Sequence, residues 1–161
     1  MVQFLISLVV SGLFLIGCAR GAGNVGAFAS ASGGSIRVTT NRADYAPNDA
    51  IAVTVRNTLT TTIYAIDTQA SCSILSLHYL VNGTWQPSQV APCPQKRPAR
   101  PVKIDAGATY TATITAGYPG MQQLPFPVGS YRLVLTYTTS PDALPSPNAG
   151  VTVTSSPIQV R

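Results

Sequence analysis

From Ser35 to Arg161 apolar residues recur at every second position, in short runs separated by glycine, proline and asparagine. In "AIAVTVRN", for example, Ile51, Val53 and Val55 fall on one face. A period of two is typical of a strand with one buried face, because successive side chains point to opposite sides of a sheet. About eight such runs with no helical pattern between them predict an all-β, antiparallel sandwich.

Turn chemistry separates the runs. Asn82-Gly83 lies between "SILSLHYLV" and "TWQPSQ" and is the strongest short signal for a hairpin. Ala46-Pro47-Asn48-Asp49 suits a turn with proline at its second position. Pro157 interrupts the last run, "GVTVTSSPIQV", and predicts an edge strand or a bulge there.

The charge composition limits both fold and partners. Charged residues make up 9% of the chain, and ten lysines and arginines stand against five acids, all of them aspartate. Because glutamate is a common residue of strong helices, its absence argues against a helical fold. The net charge of +5 comes with no arginine-rich helix and no base-stacking motif, so we expect no nucleic-acid partner.

Three segments carry a family resemblance. "DYAPNDAIAVTVRNTLTTTIY", "IDAGATY" and "FPVGSYRLVLTY" together resemble bacterial immunoglobulin-like domains, and the resemblance covers Ser35 to Arg161. It implies an immunoglobulin-like β-sandwich after the N-terminal segment. It also implies a corner at Gly129 and Tyr131, in which the tyrosine hydroxyl bonds a nearby backbone group. The cysteine positions differ from those of antibody domains, so the inter-sheet bridge of that family is not expected.

The N-terminal segment has the features of a leader. Phe4 to Ile16 is almost wholly apolar, but about 13 residues are too few to span the ~30 Å core of a bilayer. That length matches the apolar region of a signal peptide. The end of the run, Leu-Ile-Gly-Cys at Leu15–Cys18, resembles the bacterial lipobox, which implies that residues 1–17 are removed and that Cys18 carries the lipid. An ordinary secretory signal cleaved near Ala27-Phe28-Ala29, or an uncleaved anchor, remains an alternative.

Residues 18–34 follow as a tether rich in glycine, alanine and serine. A flexible coil of about 16 residues spans roughly 20–24 Å, enough to lift a domain clear of lipid headgroups. We therefore expect three parts: a signal peptide at 1–17, the lipidated cysteine and tether at 18–34, and the sandwich at 35–161. The expected location is extracytoplasmic, with the lipid in the cell membrane or, as Ala19 suggests by the same resemblance, the outer membrane.

Two cysteines, Cys72 and Cys93, remain after Cys18 is assigned. Outside the cytoplasm two leftover cysteines most often pair, and these two bracket the Asn82-Gly83 hairpin. We predict a Cys72–Cys93 disulfide that closes a loop of about 22 residues and stabilises the domain by roughly 3 kcal/mol in the chain-entropy model. Two thiols and one distant histidine are too few ligands for a metal site, and we expect no cofactor.

Two further features could carry function. His78 is the single histidine and has no serine or aspartate at a catalytic spacing, so we interpret it as an ordinary strand residue and expect no enzymatic activity. "KRPARPVK" places Lys96, Arg97, Arg100 and Lys103 in a proline-rich stretch. We interpret that stretch as a solvated, extended connection, with contact to anionic headgroups or a charged polymer as the functional alternative.

The predicted hairpin poses a packing problem. A two-residue turn sets Leu80 opposite Trp85 with His78 on the same face, yet the other face, with Leu77 and Tyr79, is also apolar. A bulge or full burial would remove the problem and is the favoured solution; a partner that covers one face is the other.

Taken together, these patterns indicate a lipid-anchored, non-catalytic immunoglobulin-like module of the bacterial cell envelope. Its partners would be the membrane, through the lipid, and a protein or envelope polymer whose identity the sequence does not give. The alternative is a proteinase inhibitor that presents an extended loop, either Pro119–Val128 or Ser140–Gly150.

Overall fold

A computed structural model describes residues 34–67, 73–88, 98–116, 125–143 and 150–161. In these ranges the chain forms eleven strands and one short 3₁₀ helix at Pro141–Ala143. The strands are β1 Ile36–Thr40, β2 Asp44–Tyr45, β3 Ile51–Asn57, β4 Ile63–Asp67, β5 Leu75–Val81, β6 Thr84–Pro87, β7 Arg100–Ile104, β8 Thr109–Ile114, β9 Gly129–Thr138, β10 Val151–Thr154 and β11 Ile158–Val160.

The strands form two sheets that pack face to face. Sheet A has the order β1-β3-β8 and is antiparallel throughout. Sheet B has the order β2-β11-β9-β4-β7, with β5, β6 and β10 attached beside that path. The alternating apolar residues of both sheets meet in one core, as the period of two predicts; its largest fully buried members include Ile51, Ile63, Leu133, Leu135 and Phe126.

Strand β9 organises sheet B. On one side it pairs with β4 and then β5, and on the other with β11 and then β10, all antiparallel. Each edge of β9 is therefore paired with two shorter strands in succession. The division between β10 and β11 falls at residues 155–157, where the backbone N–H of Ser155 donates to the Leu133 carbonyl at 2.9 Å. Pro157 thus interrupts the last run, as expected from its missing N–H.

The topology is that of an immunoglobulin-like sandwich and confirms the predicted fold class. Chain order alternates between the sheets, with β1, β3 and β8 in one and β4, β9 and β11 in the other. One pair departs from the antiparallel prediction: β2 runs parallel to β11, with Asp44 opposite Gln159 and Tyr45 opposite Val160. Strand β2 comes near the start of the domain and β11 at its end, so the two are not joined by a hairpin and can pair in parallel.

The predicted tyrosine corner is present. The Tyr131 hydroxyl donates to the Pro127 carbonyl at 2.8 Å, and the ring is fully buried against Phe126 and Tyr79. Burial, and then the neighbouring Tyr79 phenol, raises the pKa of Tyr131 to about 12. Gly129 has φ 152°, and a Cβ there would stand 2.5 Å from the Tyr79 ring, so the close approach of that ring requires glycine.

A second buried polar residue, Asn57, ends strand β3. Its side-chain amide donates to the carbonyls of Thr61, Ile104 and Asp105 at 2.9–3.1 Å, and its side-chain oxygen accepts the Leu59 N–H at 3.0 Å. These bonds join the β3–β4 connection to the end of β7. Because a buried amide needs hydrogen-bond partners, these four contacts make the complete burial of Asn57 possible.

One segment has more structure than its sequence predicted. Part of "KRPARPVK", which we interpreted as an extended connection, is strand β7, antiparallel to β4 with Pro101 opposite Ile66. A proline cannot donate to a ladder on its N–H side, but β7 is the last strand on that side of sheet B in the described chain. Proline is tolerated in such an edge strand.

Candidate functional site

The hairpin of β5 and β6 forms its predicted turn. Asn82 and Gly83 both have positive φ, 50° and 79°, as a type I′ turn requires. Pairing continues without interruption from Val81 opposite Thr84 to His78 opposite Pro87, so the expected bulge is wrong.

The outer face of this hairpin is only half-buried, so full burial does not resolve its apolar character either. Leu80 and Trp85 face each other across the turn, and His78 lies on the same side of β5. The inner face takes Leu75 and Leu77 into the core. We call the outer surface formed by His78, Leu80, Trp85 and the neighbouring Arg132 the tryptophan face.

Arg132 lies across the tryptophan face. It stands opposite His78 in the β5–β9 pairing, and its guanidinium carbon is 4.7 Å from the centre of the Trp85 ring. This cation–π stacking covers part of the indole and explains why no bulge is needed. Within the described chain the Arg132 side chain makes no ion pair, and both its Nε and His78 Nδ1 are buried without a hydrogen-bond partner.

His78 is electrically neutral at neutral pH. Burial, and then the positive charge of Arg132, lowers the pKa of its imidazole below the ordinary value. A neutral imidazole beside an arginine and an indole can accept or donate hydrogen bonds to a bound group. In the described ranges no three histidine, cysteine or aspartate side chains come together as a metal site.

The described half of the basic stretch lies along edge strand β7. Arg100 Nε is 3.0 Å from the buried carboxylate of Asp67, and Lys103 Nζ is 2.9 Å from Asp105. The hydrogen bond between the latter two raises the pKa of Lys103 and, followed by a bond from Thr62, lowers the pKa of Asp105. Both cations therefore already have anionic partners within the domain, which weakens their attraction for external anions.

A cleft of about 480 Å³ opens beside these residues. Tyr64 and Ile66 of β4, Pro101 and Lys103 of β7, and Pro141 of the 3₁₀ helix contribute to its walls. Most of this lining is apolar, and the two cations that contribute to it, Arg100 and Lys103, already pair with Asp67 and Asp105.

The other predicted site residues, Cys18, Cys72, Cys93, Lys96 and Arg97, lie outside the described residues, as do most of the two loops considered for an inhibitor. The Cys72–Cys93 disulfide therefore stays a prediction.

Sequence reasoning identified His78 and Trp85 but missed Arg132. Its position between Tyr131 and Leu133, which alternation assigns to the core face, marks it as outward-facing, but only the β5–β9 register brings it to Trp85. Among the described residues no helix has the length and apolar character to cross a membrane.

Comparison with known proteins gives distant structural likenesses. No protein-family model matches the chain, and no curated protein is significantly similar to it. The class 5 fimbriae chaperone CfaA is similar over 76% of this chain and 55% of its own, at 14% identity and a TM-score of 0.40. The β-glucosidase EmGH1 of Erythrobacter marinus, at 15% identity and TM-score 0.34, covers 80% of this chain. A β-glucosidase of Listeria innocua, at 13% and 0.32, covers 79%. The chain spans about half the chaperone and 16% of each glucosidase.

Proposed function

We propose that this chain is a non-catalytic binding module of the bacterial cell envelope, held at an extracytoplasmic membrane face by a lipid on Cys18. The module binds a protein or envelope-polymer partner through the tryptophan face. The lipobox-like Leu15–Cys18 supports the anchor, and the sandwich supports the role of a rigid scaffold that displays a surface.

One observation carries the proposed binding surface. Trp85 and Leu80 form an apolar pair on an outer sheet face, and Arg132 lies on the indole with no carboxylate partner in the described chain. Tryptophan and arginine are the residues that most often dominate binding energy at interfaces. A partner with a carboxylate or other anionic group beside an apolar patch would satisfy both at once.

The neighbours of the polar side chains also support a binding role. His78 faces Arg132, and burial followed by this positive charge lowers the pKa of its imidazole. The Ser130 hydroxyl exchanges hydrogen bonds with the Gln159 amide, and the Ser155 hydroxyl accepts from the Leu133 N–H. These hydroxyls serve the backbone and neighbouring strands in the way expected of structural residues.

Site-specific photo-cross-linking in cells tests the binding surface. A benzophenone amino acid at position 80 should cross-link one discrete envelope component, because Leu80 lies in the tryptophan face. The matched control is the same group at position 151, since Val151 is an apolar residue 56% exposed on β10. Adding Arg132→Gln should abolish the cross-link. Equal yields at positions 80 and 151 would refute this surface.

Cell fractionation tests the anchor separately. The wild-type chain should incorporate a labelled fatty acid and sediment with membranes in a host that processes lipoproteins, while Cys18→Ser should do neither. An unlabelled wild-type chain in such a host would contradict the anchor, whatever the cross-linking result.

A further inference from the structure

The outer face of sheet A consists almost wholly of arginine and threonine. Across the three strands one row places Arg37 opposite Arg56, and Arg56 opposite Thr109. The next row along the strands places Thr39 opposite Thr54, and Thr54 opposite Thr111. We call this surface the arginine–threonine face.

Arg37 and Arg56 lie opposite each other, and neither has an acidic partner among the described residues. Both are exposed, and like charges directly opposite on neighbouring strands destabilise a sheet. Every aspartate of the chain is described, and none forms an ion pair with Arg37 or Arg56. The other described basic side chains have partners: four pair with aspartates and one stacks on Trp85.

The arginine pair also lies where the chain enters the domain. Arg37 follows Ser35, the first residue of the predicted domain, by two positions, and Ile36 opposite Asn57 is the first pair of the β1–β3 ladder. The Ser35 N–H donates to the Thr58 hydroxyl at 2.8 Å, which fixes the start of β1 to sheet A. A tether of residues 18–34 therefore ends beside Arg37.

We infer that the arginine–threonine face docks on the phosphate groups of anionic phospholipids in the membrane that carries the anchor. This inference rests on the proposed lipid attachment. Two guanidinium groups on adjacent strands can both donate to one phosphate, and planar guanidinium forks suit phosphate oxygens. The threonine hydroxyls can bond neighbouring headgroup oxygens. No large apolar side chain lies in the two rows, so contact stays at headgroup depth.

This orientation agrees with the proposed binding surface. The tryptophan face is on the outer side of sheet B, and the two sheets of a sandwich are about 10 Å apart. With sheet A on the membrane, Trp85 and Arg132 face away from it. Membrane contact through the basic stretch at β7 would orient the domain differently. That contact is less favoured, because Arg100 and Lys103 already pair with aspartates.

Vesicle binding of the anchor-free domain tests the inference. Ser32–Arg161 forms a compact unit that contains the described core and every described strand, so we expect it to fold without the leader. Cosedimentation at low salt should show binding to vesicles of phosphatidylglycerol and phosphatidylcholine, and not to phosphatidylcholine alone. The double variant Arg37→Gln with Arg56→Gln should bind about 30-fold more weakly, about fivefold for each charge.

Two comparison variants make the test specific. Arg42→Gln with Arg161→Gln also removes two positive charges, but from arginines that already pair with Asp49 and Asp44, and should bind like the parent. Replacing Lys96, Arg97, Arg100 and Lys103 by glutamine removes four charges and should weaken binding less than the Arg37 and Arg56 double variant does. The Arg37 and Arg56 double variant should unfold at the same urea concentration as the parent or at a higher one, because it removes a like-charge contact.

Three results would overturn the docking surface. One is loss of binding in the four-residue β7 variant with no loss in the Arg37 and Arg56 variant. Another is an equal effect of the Arg42 and Arg161 control, which would mean that net charge alone matters. The third is binding of soluble polyphosphate through Arg37 and Arg56 without binding to vesicles, which would assign the face to a soluble polymer. All three concern the anchor-free domain, so they are independent of the Cys18 experiment.

Discussion

Asn57 provides the sharpest test of how this sandwich is held together. Its side chain is completely buried, and four contacts of 2.9–3.1 Å join it to the β3–β4 connection and to the end of β7. At about 1 kcal/mol net for each bond, Asn57→Ala should cost about 3–4 kcal/mol. That is a large share of the roughly 5–15 kcal/mol typical of a whole domain.

Asn57→Asp separates hydrogen bonding from packing, because the two side chains have nearly the same shape. At neutral pH the introduced carboxylate would face three carbonyl oxygens in place of a donor, so the loss should at least equal that of alanine. Burial beside these oxygens raises the pKa of the introduced carboxyl in the folded state. The folded form then binds a proton more readily than the unfolded chain, so stability should recover as the pH falls toward 4.

Urea unfolding followed by fluorescence measures both variants, since Trp85 is the single tryptophan. Asn41→Ala is a useful control, because Asn41 is exposed and its side chain accepts one hydrogen bond, from Tyr45. The reasoning is refuted if Asn57→Ala costs less than about 1 kcal/mol, or if Asn57→Asp matches the parent at every pH.

Three other predictions concern separate parts of the domain. Reduction should add two daltons if Cys72 and Cys93 are bridged, and Cys72→Ala should lower stability by about 2–5 kcal/mol, whereas rapid alkylation of the folded protein would exclude the bridge. Tyr131→Phe removes the bond to the Pro127 carbonyl and should cost about 1–2 kcal/mol. Because the folded pKa of Tyr131 is about 12 and the unfolded one about 10, parent stability should fall between pH 10 and 12, and this fall should shrink in the variant. The pKa of His78 is lowered by folding, so the parent should lose stability as the pH falls below about 6.5, and His78→Gln should lose less; identical pH profiles would contradict the burial argument.

Local chemistry in the sequence predicts much of the fold. Alternation identifies the buried faces of β3 and β9, and Asn82-Gly83 predicts the hairpin together with its register. The Gly129 and Tyr131 corner follows from a family resemblance and is confirmed by the bond to Pro127. These features were predictable because each depends on residues close together in the chain.

Long-range pairing was not predictable in the same way. Strand β7 contains Pro101 and carries little alternation, so only its position at a sheet edge makes it a strand. The stacking of Arg132 on Trp85 and the opposition of Arg37 and Arg56 depend on which strands become neighbours. Sequence reasoning located the positive charge in "KRPARPVK" and could not tell which cations would find aspartate partners.

The parallel pairing of β2 with β11 determines how the domain responds to a pulling force. Tension between the chain before β2 and the end of β11 acts along both strands in opposite directions, so it shears their ladder. The bonds from Gln159 to Ala43 and from Arg161 to Tyr45, and the 2.7 Å ion pair of Arg161 with Asp44, must then yield together. A hairpin peeled from its open end would lose its bonds one at a time. A pull applied between the N-terminal side of the domain and its C-terminal strand would thus meet the resistance of the whole ladder at once.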